Sequence, residues 1–528
     1  MSKRKKNGLL LLIYTVMILL CFGVVALVEV LHSPDRSKEQ TSEASTVETP
    51  GGLPEAEEEE TGDQTNLATP AQAEEAIPEI QYRNASSKKQ DQTPILETEE
   101  PKEEYKPPSI VVASDVHYYS PNLTDYGQAF WTMAEGDDGK VVNYIPELMD
   151  AFTEEMGKQK PSAVILSGDL TLNGEKAGHE ALAEKLRIME EKGVKVLVIP
   201  GNHDINNYNS ASYMGEDREP SDIVTPQEFY DIYHTFGYDQ ARNRDEDSLS
   251  YVYELDDKNW LLMLDSAQYE PVNKVGGRIK EETLVWMKDR LEEAKALGVT
   301  VVTVAHHNLL KESSRYPVDC TLENSQDVVE LLEAYRVPLY ISGHLHLQRT
   351  KTYKPRPGKG EEEYHISEVV ADSFAISPFQ YGTLKWTEDS RLVYTTQTLD
   401  VAHWAQEKES PDENLLKFSD YGASFLTNVV STQIYGQLKN LPEEQRQEMA
   451  QLYGDINRAY CAGIPVDAQD VRTSKAYRLW ERNLPDSKLF DEINEILRDT
   501  GHDFNSWECV LENGRRNDSN GNDNGTQP

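Results

Sequence analysis

Five short apolar runs rich in β-branched residues recur along the chain, each followed at once by a glycine or by a polar side chain. They are Ser109-Ile-Val-Val-Ala-Ser114, Ser162-Ala-Val-Ile-Leu-Ser167, Lys195-Val-Leu-Val-Ile-Pro200, Thr300-Val-Val-Thr-Val-Ala305 and Val337-Pro-Leu-Tyr-Ile-Ser342. Runs of this length and composition read as strands buried on both faces. Helical spacing fills the gaps, notably from Glu175 to Lys192 and from Glu281 to Leu297, and Gly193 and Gly298 stand where helix C-termini want glycine. Alternating strands and helices imply sheets covered by helices. Two further strand pairs come without helices: Ser250–Leu255 with Trp260–Asp265, and Tyr381–Trp386 with Arg391–Thr396. Two packed mixed sheets flanked by helices fit this order better than one doubly wound sheet.

The residues directly after each run carry the chemistry. In order these are Asp115-Val-His117, Gly168-Asp169, Gly201-Asn202-His203-Asp204, His306-His307 and Gly343-His344-Leu-His346. Side chains two apart on an extended segment share a side, so Asp115 can join His117, and His344 can join His346. Open α/β sheets gather ligands at the carboxyl ends of their strands. Each motif alone is weak, because Gly-Asp is usually turn chemistry and D-x-H is usually a turn. Five in succession, delivering Asp, Asn and His to one edge, point to a metal site.

Residues from about Ser109 to Asp400 resemble the calcineurin-like metallophosphoesterase superfamily, whose order of D-x-H, G-D, G-N-H-[DE], a lone His and G-H-x-H is that of the blocks above. The resemblance implies a four-layer α-β-β-α sandwich with a binuclear centre of divalent Mn, Fe or Zn. It implies that Asp115, His117, Asp169 and His346 hold one ion. Asp169, Asn202, His306 and His344 would hold the other, with Asp169 shared. His203 would stand beside the leaving group as general acid, with Asp204 orienting it. The first histidine of the adjacent pair is expected to ligate, leaving His307 a bystander. Two ions ~3.5–4 Å apart would make a hydroxide from a shared water and clamp the phosphoryl oxygens.

The residues after Asp169 discriminate between branches. Phosphoprotein phosphatases of the superfamily read G-D-x-x-D-R-G, whereas here Leu172 and Asn173 stand where the second Asp and the Arg would be. The purple acid phosphatases' tyrosine is likewise replaced by Leu172. Gly168-Asp-Leu-Thr171 with Gly201-Asn-His-Asp204 resembles the bacterial cyclic-nucleotide phosphodiesterase branch with a C-terminal helical domain. A small phosphodiester or cyclic nucleotide is therefore the expected substrate. A phosphomonoester, such as a nucleotide or an envelope phosphate, is the alternative. A non-catalytic surface module is the remote one, since no ligand is missing. Tyr118, Tyr119, Asn122, Asn206, Asn207 and Tyr208 are candidates to touch substrate, with loop packing their more ordinary role. His179 reads as a surface or capping residue among polar neighbours.

The rest of the 528 residues frames this region. Lys3-Arg-Lys-Lys6 precedes an uncharged apolar stretch from Gly8 to Val28, long enough to cross a bilayer. Residues 1–31 are thus expected to form a membrane anchor with a cytoplasmic tip, the alternative being a cleaved signal peptide. The chain beyond would face the cell exterior. Residues 32–106 are acidic, poor in large apolar side chains and expected to be a disordered linker. Residues 107–400 are the expected catalytic domain. After Asp400 the period becomes helical, with helices expected over Asn414–Val430, Pro442–Tyr460 and Ser487–Thr500. Residues 401–514 are accordingly expected to be an all-α C-terminal domain, packed on the sandwich for stability, and 515–528 a disordered tail. A net charge of -40 disfavours a nucleic-acid polymer as partner, because such binding is led by Lys and Arg. Three cysteines lie beyond Cys21, and the pair open to bridging is Cys461 with Cys509.

Overall fold

The structure, a computed structural model, describes residues 105–311, 315, 318–353 and 365–511. The expected anchor over 1–31, nearly all of the linker and the tail over 515–528 lie outside the described residues. Among the described residues no helix is long and apolar enough to cross a membrane.

Two mixed sheets carry the five runs. The first contains β1 (Ser109–Ala113), β2 (Ala163–Ser167) and β3 (Val196–Ile199), side by side and parallel. Two small strands, β4 (Ala211–Met214) and β5 (Asp217–Pro220), form a separate hairpin. The second sheet begins with β6 (Asn243–Arg244), β7 (Tyr251–Asp256) and β8 (Asn259–Leu264), which are antiparallel neighbours. It continues in parallel through β9 (Thr300–Ala305) and β10 (Leu339–Ser342). Beyond these lie β11 (Arg349–Thr352) and β12 (Ser367–Val370), with β12 parallel to β10. The chain then returns to the first sheet as the antiparallel pair β13 (Gln380–Trp386) and β14 (Arg391–Thr398), with β13 beside β1. All five expected strands and both expected helix-free pairs are present, with ends moved by two residues or fewer.

Alternation along the second sheet explains why its strands are apolar on both faces. Leu261, Met263, Val302, Val304, Leu339 and Ile341 join one core with Ile110, Val112 and Ile165 of the first sheet. The intervening Trp260, Leu262, Leu264, Val301 and Tyr340 join another, with helix residues Met287, Leu291, Val328 and Leu332. A period of two thus presents one face to the other sheet and one to helices. The helices here are α1 (Gln128–Gly136), α2 (Ile145–Gln159), α3 (Lys176–Glu191), α4 (Pro226–Tyr233), α5 (Glu281–Leu297) and α6 (Ser325–Ala334). Gly298 takes the left-handed conformation that ends α5, as expected.

The C-terminal region is helical: α7 (Val401–Glu407), α8 (Phe418–Tyr435), α9 (Glu443–Cys461), α10 (Ala468–Thr473), α11 (Lys475–Asn483) and α12 (Lys488–Asp499). One expectation is corrected here. The domain expected to be all-α to residue 514 ends in a strand, β15 (Ser506–Val510), which pairs with β14 and completes the first sheet. Five residues with only Trp507 and Cys509 turned inward carry too short a pattern to announce a strand. Cys461 and Cys509 are both free thiols, one closing a helix and the other on that edge strand.

Candidate metal centre

Every expected ligand lies at the end of a strand and is largely or wholly buried. Asp115, His117 and His306 have no solvent-exposed surface, Asp169 and Asn202 very little, and His346 is slightly open. Five of the seven, Asp115, His117, Asp169, His344 and His346, hold positive φ, between 47° and 70°. That region disfavours side chains, at about 1 kcal/mol or more each, and such strain concentrates at functional sites. The chain turns sharply as it leaves each strand, and the glycines of the motifs make room for the turns. A Cβ at Gly201 would collide with the backbone and carboxylate of Asp169, and one at Gly343 with Ser114 and Asp115.

The side chains form two groups that share Asp169. In one, Asp115, His117, Asp169 and His346 bring donor atoms within 4.8 Å of one another. The Nε2 atoms of His117 and His346 face each other at 3.0 Å, and His346 Nε2 lies 3.3 Å from Asp115 Oδ1. In the other, His306 Nε2 is 3.2 Å from both Asp169 Oδ2 and Asn202 Oδ1, and the His306 and His344 rings are 5.1 Å apart. Asp169 Oδ2 also stands 3.9 Å from His117 Nε2.

Hydrogen bonds decide which nitrogens remain available. His306 Nδ1 donates to the Ser167 carbonyl, His344 Nε2 to the Asp319 carbonyl and His346 Nδ1 to the Asp138 carboxylate. Each partner only accepts, so the other ring nitrogen is the one turned into the site, and in the neutral ring it would offer its lone pair there. His117 Nδ1 has no partner. His307 differs: Nδ1 meets Ser266 Oγ and Nε2 donates to the Val275 carbonyl. Proximity alone would group His307 with His306 and His344. Both of its ring nitrogens are engaged, which sets it apart from His306 and His344.

This donor set fits two divalent cations. Imidazole nitrogens and carboxylate oxygens converge on the space beside Asp169, and once the rings lose their protons to the ions they would offer lone pairs there. The electrostatics agree. Burial alone would raise the Asp115 and Asp169 carboxyls, yet the histidines around them hold both well below the usual carboxylate range. Burial alone would lower His306 and His346, yet their carboxylate neighbours hold them up, at about 9 and about 10. The pocket draws positive charge, and metal ions would displace those protons.

His203 sits at the open side, 26% exposed, with Nε2 3.9 Å from Asp169 Oδ2. Its Nδ1 donates to the Leu172 carbonyl at 2.6 Å and lies 3.2 Å from Asn173 Oδ1. The expectation that Asp204 orients it is corrected. The buried Asp204 carboxylate accepts from the backbone of Leu170, Thr171 and Gly201 and from the Thr171 hydroxyl, tying the second motif loop to the third. Its sequence position beside His203 points it the other way. His179 is likewise not a surface residue. It is fully buried, with Nε2 facing Thr171 Oγ1 and the Asp204 carbonyl and Nδ1 beside the Tyr233 hydroxyl.

Of the substrate candidates, Tyr118 and Tyr119 are buried, and the Tyr119 hydroxyl donates to backbone carbonyls of Leu123 and Ala211, so both pack the loop. Asn207 bonds the His203 carbonyl and Asn206 the Tyr269 carbonyl. Asn122 and Tyr208 are exposed. Sequence reasoning missed Asp138, which lies 208 residues before His346 in a loop with no motif.

Two family models match parts of the chain. A family model described as calcineurin-like phosphoesterase matches residues 108–348, and one described as the C-terminal domain of cyclic nucleotide phosphodiesterase matches 400–503. Similar solved structures include a dimetal phosphatase from Danio rerio, at 14% identity and TM-score 0.41, over 56% of this chain and 97% of that one. A purple acid phosphatase from yellow lupin seeds matches at 14% identity and TM-score 0.36, over 56% and 52%. GAP50, the anchor in the inner membrane complex of Plasmodium, matches at 11% identity and TM-score 0.31, over 55% and 84%. No curated protein matches the chain.

Proposed function

From a chain that carries a calcineurin-like phosphoesterase domain followed by a C-terminal domain of the cyclic nucleotide phosphodiesterase kind, we propose a metal-dependent phosphoesterase that hydrolyses small phosphodiesters, cyclic nucleotides among them. The observation that carries the reading is Asp169, whose single carboxylate is common to both donor groups. Asp115, His117 and His346 would complete one ion's shell, and Asn202, His306 and His344 the other's. Bound there, two cations supply an activated water and positive charge against the phosphoryl oxygens.

The protein's own part is to orient and to move a proton. Both oxygens near His203 Nδ1, the Leu172 carbonyl and Asn173 Oδ1, can only accept, so they keep a hydrogen on Nδ1 and leave Nε2 facing the opening. His203 then donates its Nε2 proton to the departing alkoxide. Asn173 braces His203 instead of gripping phosphate, and the buried Leu172 adds no charge. A site without an arginine at that place suits a diester, which carries one negative charge fewer than a fully ionised monoester.

The test offers bis-p-nitrophenyl phosphate and p-nitrophenyl phosphate to the purified full-length chain with Mn²⁺, before and after chelation. Diester turnover that chelator removes is the expected result. A preference for the monoester would overturn the diester reading, and silence with both substrates would overturn the enzymatic one. We also place the catalytic domain outside the membrane, on the strength of Lys3–Lys6 before the apolar stretch. Protease added to intact cells should digest it, and protection there would reverse the orientation.

A further inference from the structure

We propose that Asp138 is a positioning residue for the metal centre, fixing His346 through Nδ1, and that the C-terminal helical domain holds Asp138 in place. This rests on the reading of His346 as a metal ligand. Asp138 Oδ2 accepts from His346 Nδ1 at 2.6 Å, which leaves Nε2 as the only nitrogen able to face Asp115 and His117. A carboxylate in that place fixes both the tautomer and the ring plane, and makes the imidazole a stronger donor.

Asp138 is itself restrained. Its other oxygen accepts from Lys140 Nζ at 2.7 Å, and the same buried ammonium reaches Asp137 Oδ1 at 3.1 Å. The loop carrying all three residues is pressed from the far side by α8 of the C-terminal domain. Gln433 Nε2 donates to the Asp137 carbonyl at 2.8 Å. Gly139 holds φ near +100° against Leu426, where a Cβ would collide.

The helical domain also holds His346 through its own segment. Leu345 and Leu347 flank the histidine and join the core of the C-terminal helices, with Ile434, Met449 and Trp480. The Gln348 backbone amide donates to the Cys461 carbonyl at 2.8 Å, and the Arg349 guanidinium lies 4.1 Å from the Tyr460 ring while donating to the Tyr460 carbonyl. Along this segment the histidines face the candidate metal centre and the leucines the helical core. The domain therefore grips one ligand from its flanks and from its hydrogen-bond partner.

The experiment titrates the metal-free full-length chain with Co²⁺, reading affinity and visible absorption. The unaltered chain should take up two ions. D138A should weaken one of them by about 10- to 100-fold and shift that ion's absorption alone. D138N, which keeps an acceptor for Nδ1, should restore part of the affinity. Q433A, at an exposed position, should weaken the same ion by less, and should add nothing in the D138A background. Uptake of both ions by D138A with unchanged affinity and spectrum would overturn the proposal. So would equal weakening of both ions with a lower unfolding temperature of the metal-free chain, which marks a general folding defect. Failure of the unaltered chain to bind cobalt would instead overturn the metal reading itself.

Discussion

The Asp169 carboxylate lies 3.2 Å from His306 and 3.9 Å from His117 and His203, which places it between the two donor groups. Asp169→Ala should therefore remove diesterase activity by at least about 100-fold and lower the content of both ions, as metal analysis of the purified variant would read. A variant that kept most of its activity would contradict the shared role. Glu175 allows a prediction on stability. It is buried, Oε2 accepts from the Asn173 amide and Oε1 has no partner. Burial holds its carboxyl up at about 7, against 4.5 for an exposed glutamate. The native state therefore keeps a proton that the unfolded chain releases earlier, so stability falls as pH rises through this window. From pH 5 to pH 8 the parent should lose ~2 kcal/mol more than Glu175→Gln, as denaturant melts at the two pH values would read. At this scale the convergence of the candidate ligands was legible, because Asp, Asn and His immediately after apolar runs have few other reasons to stand there. Asp138, Asp204 and His179 were not, because their roles depend on which distant atoms the fold brings beside them.

Strands set where the ligands stand, and the turns after them set where the ligands point. At the end of β3 the chain passes so close to Asp169 that only glycine fits at 201. Gly201→Ala should cost roughly 1–3 kcal/mol through overpacking, and should also weaken metal binding, because the alanine methyl pushes on a ligand. A fall in thermal stability with metal affinity unchanged would separate the turn from the site. The parallel strands and the long helices were readable from period and length. The strands β11, β12 and β15 were not, because Arg349-Thr-Lys-Thr352, Ser367-Glu-Val-Val370 and Ser506-Trp-Glu-Cys-Val510 carry no long apolar run. Such segments are strands only because a neighbouring strand offers them hydrogen bonds. The short helices α10 and α11 obey the same logic, with Asp467 and Ser474 capping amides that local periodicity would not reveal.

Catalytic and C-terminal regions share cores instead of meeting across a polar boundary. Val401, Leu415 and Phe418 of the helical region belong to the core that includes the first sheet, while Leu345, Leu347 and Val370 of the catalytic region belong to the helical core. After the helices the chain returns, and β15 extends the first sheet beside β14. Composition and period mark a change near Asp400, but neither reports whether the two parts exchange side chains. A division at that residue would expose apolar surface on both pieces and leave β14 with an unpaired edge, which favours association over folding. Chains of this size commonly unfold domain by domain. Here the shared cores should impose a single cooperative calorimetric transition, with the calorimetric enthalpy equal to the van't Hoff enthalpy. A fragment ending at residue 400 should be insoluble or lack a cooperative melt. Two resolved transitions, or a soluble fragment with a sharp melt of its own, would mean that the two regions fold independently.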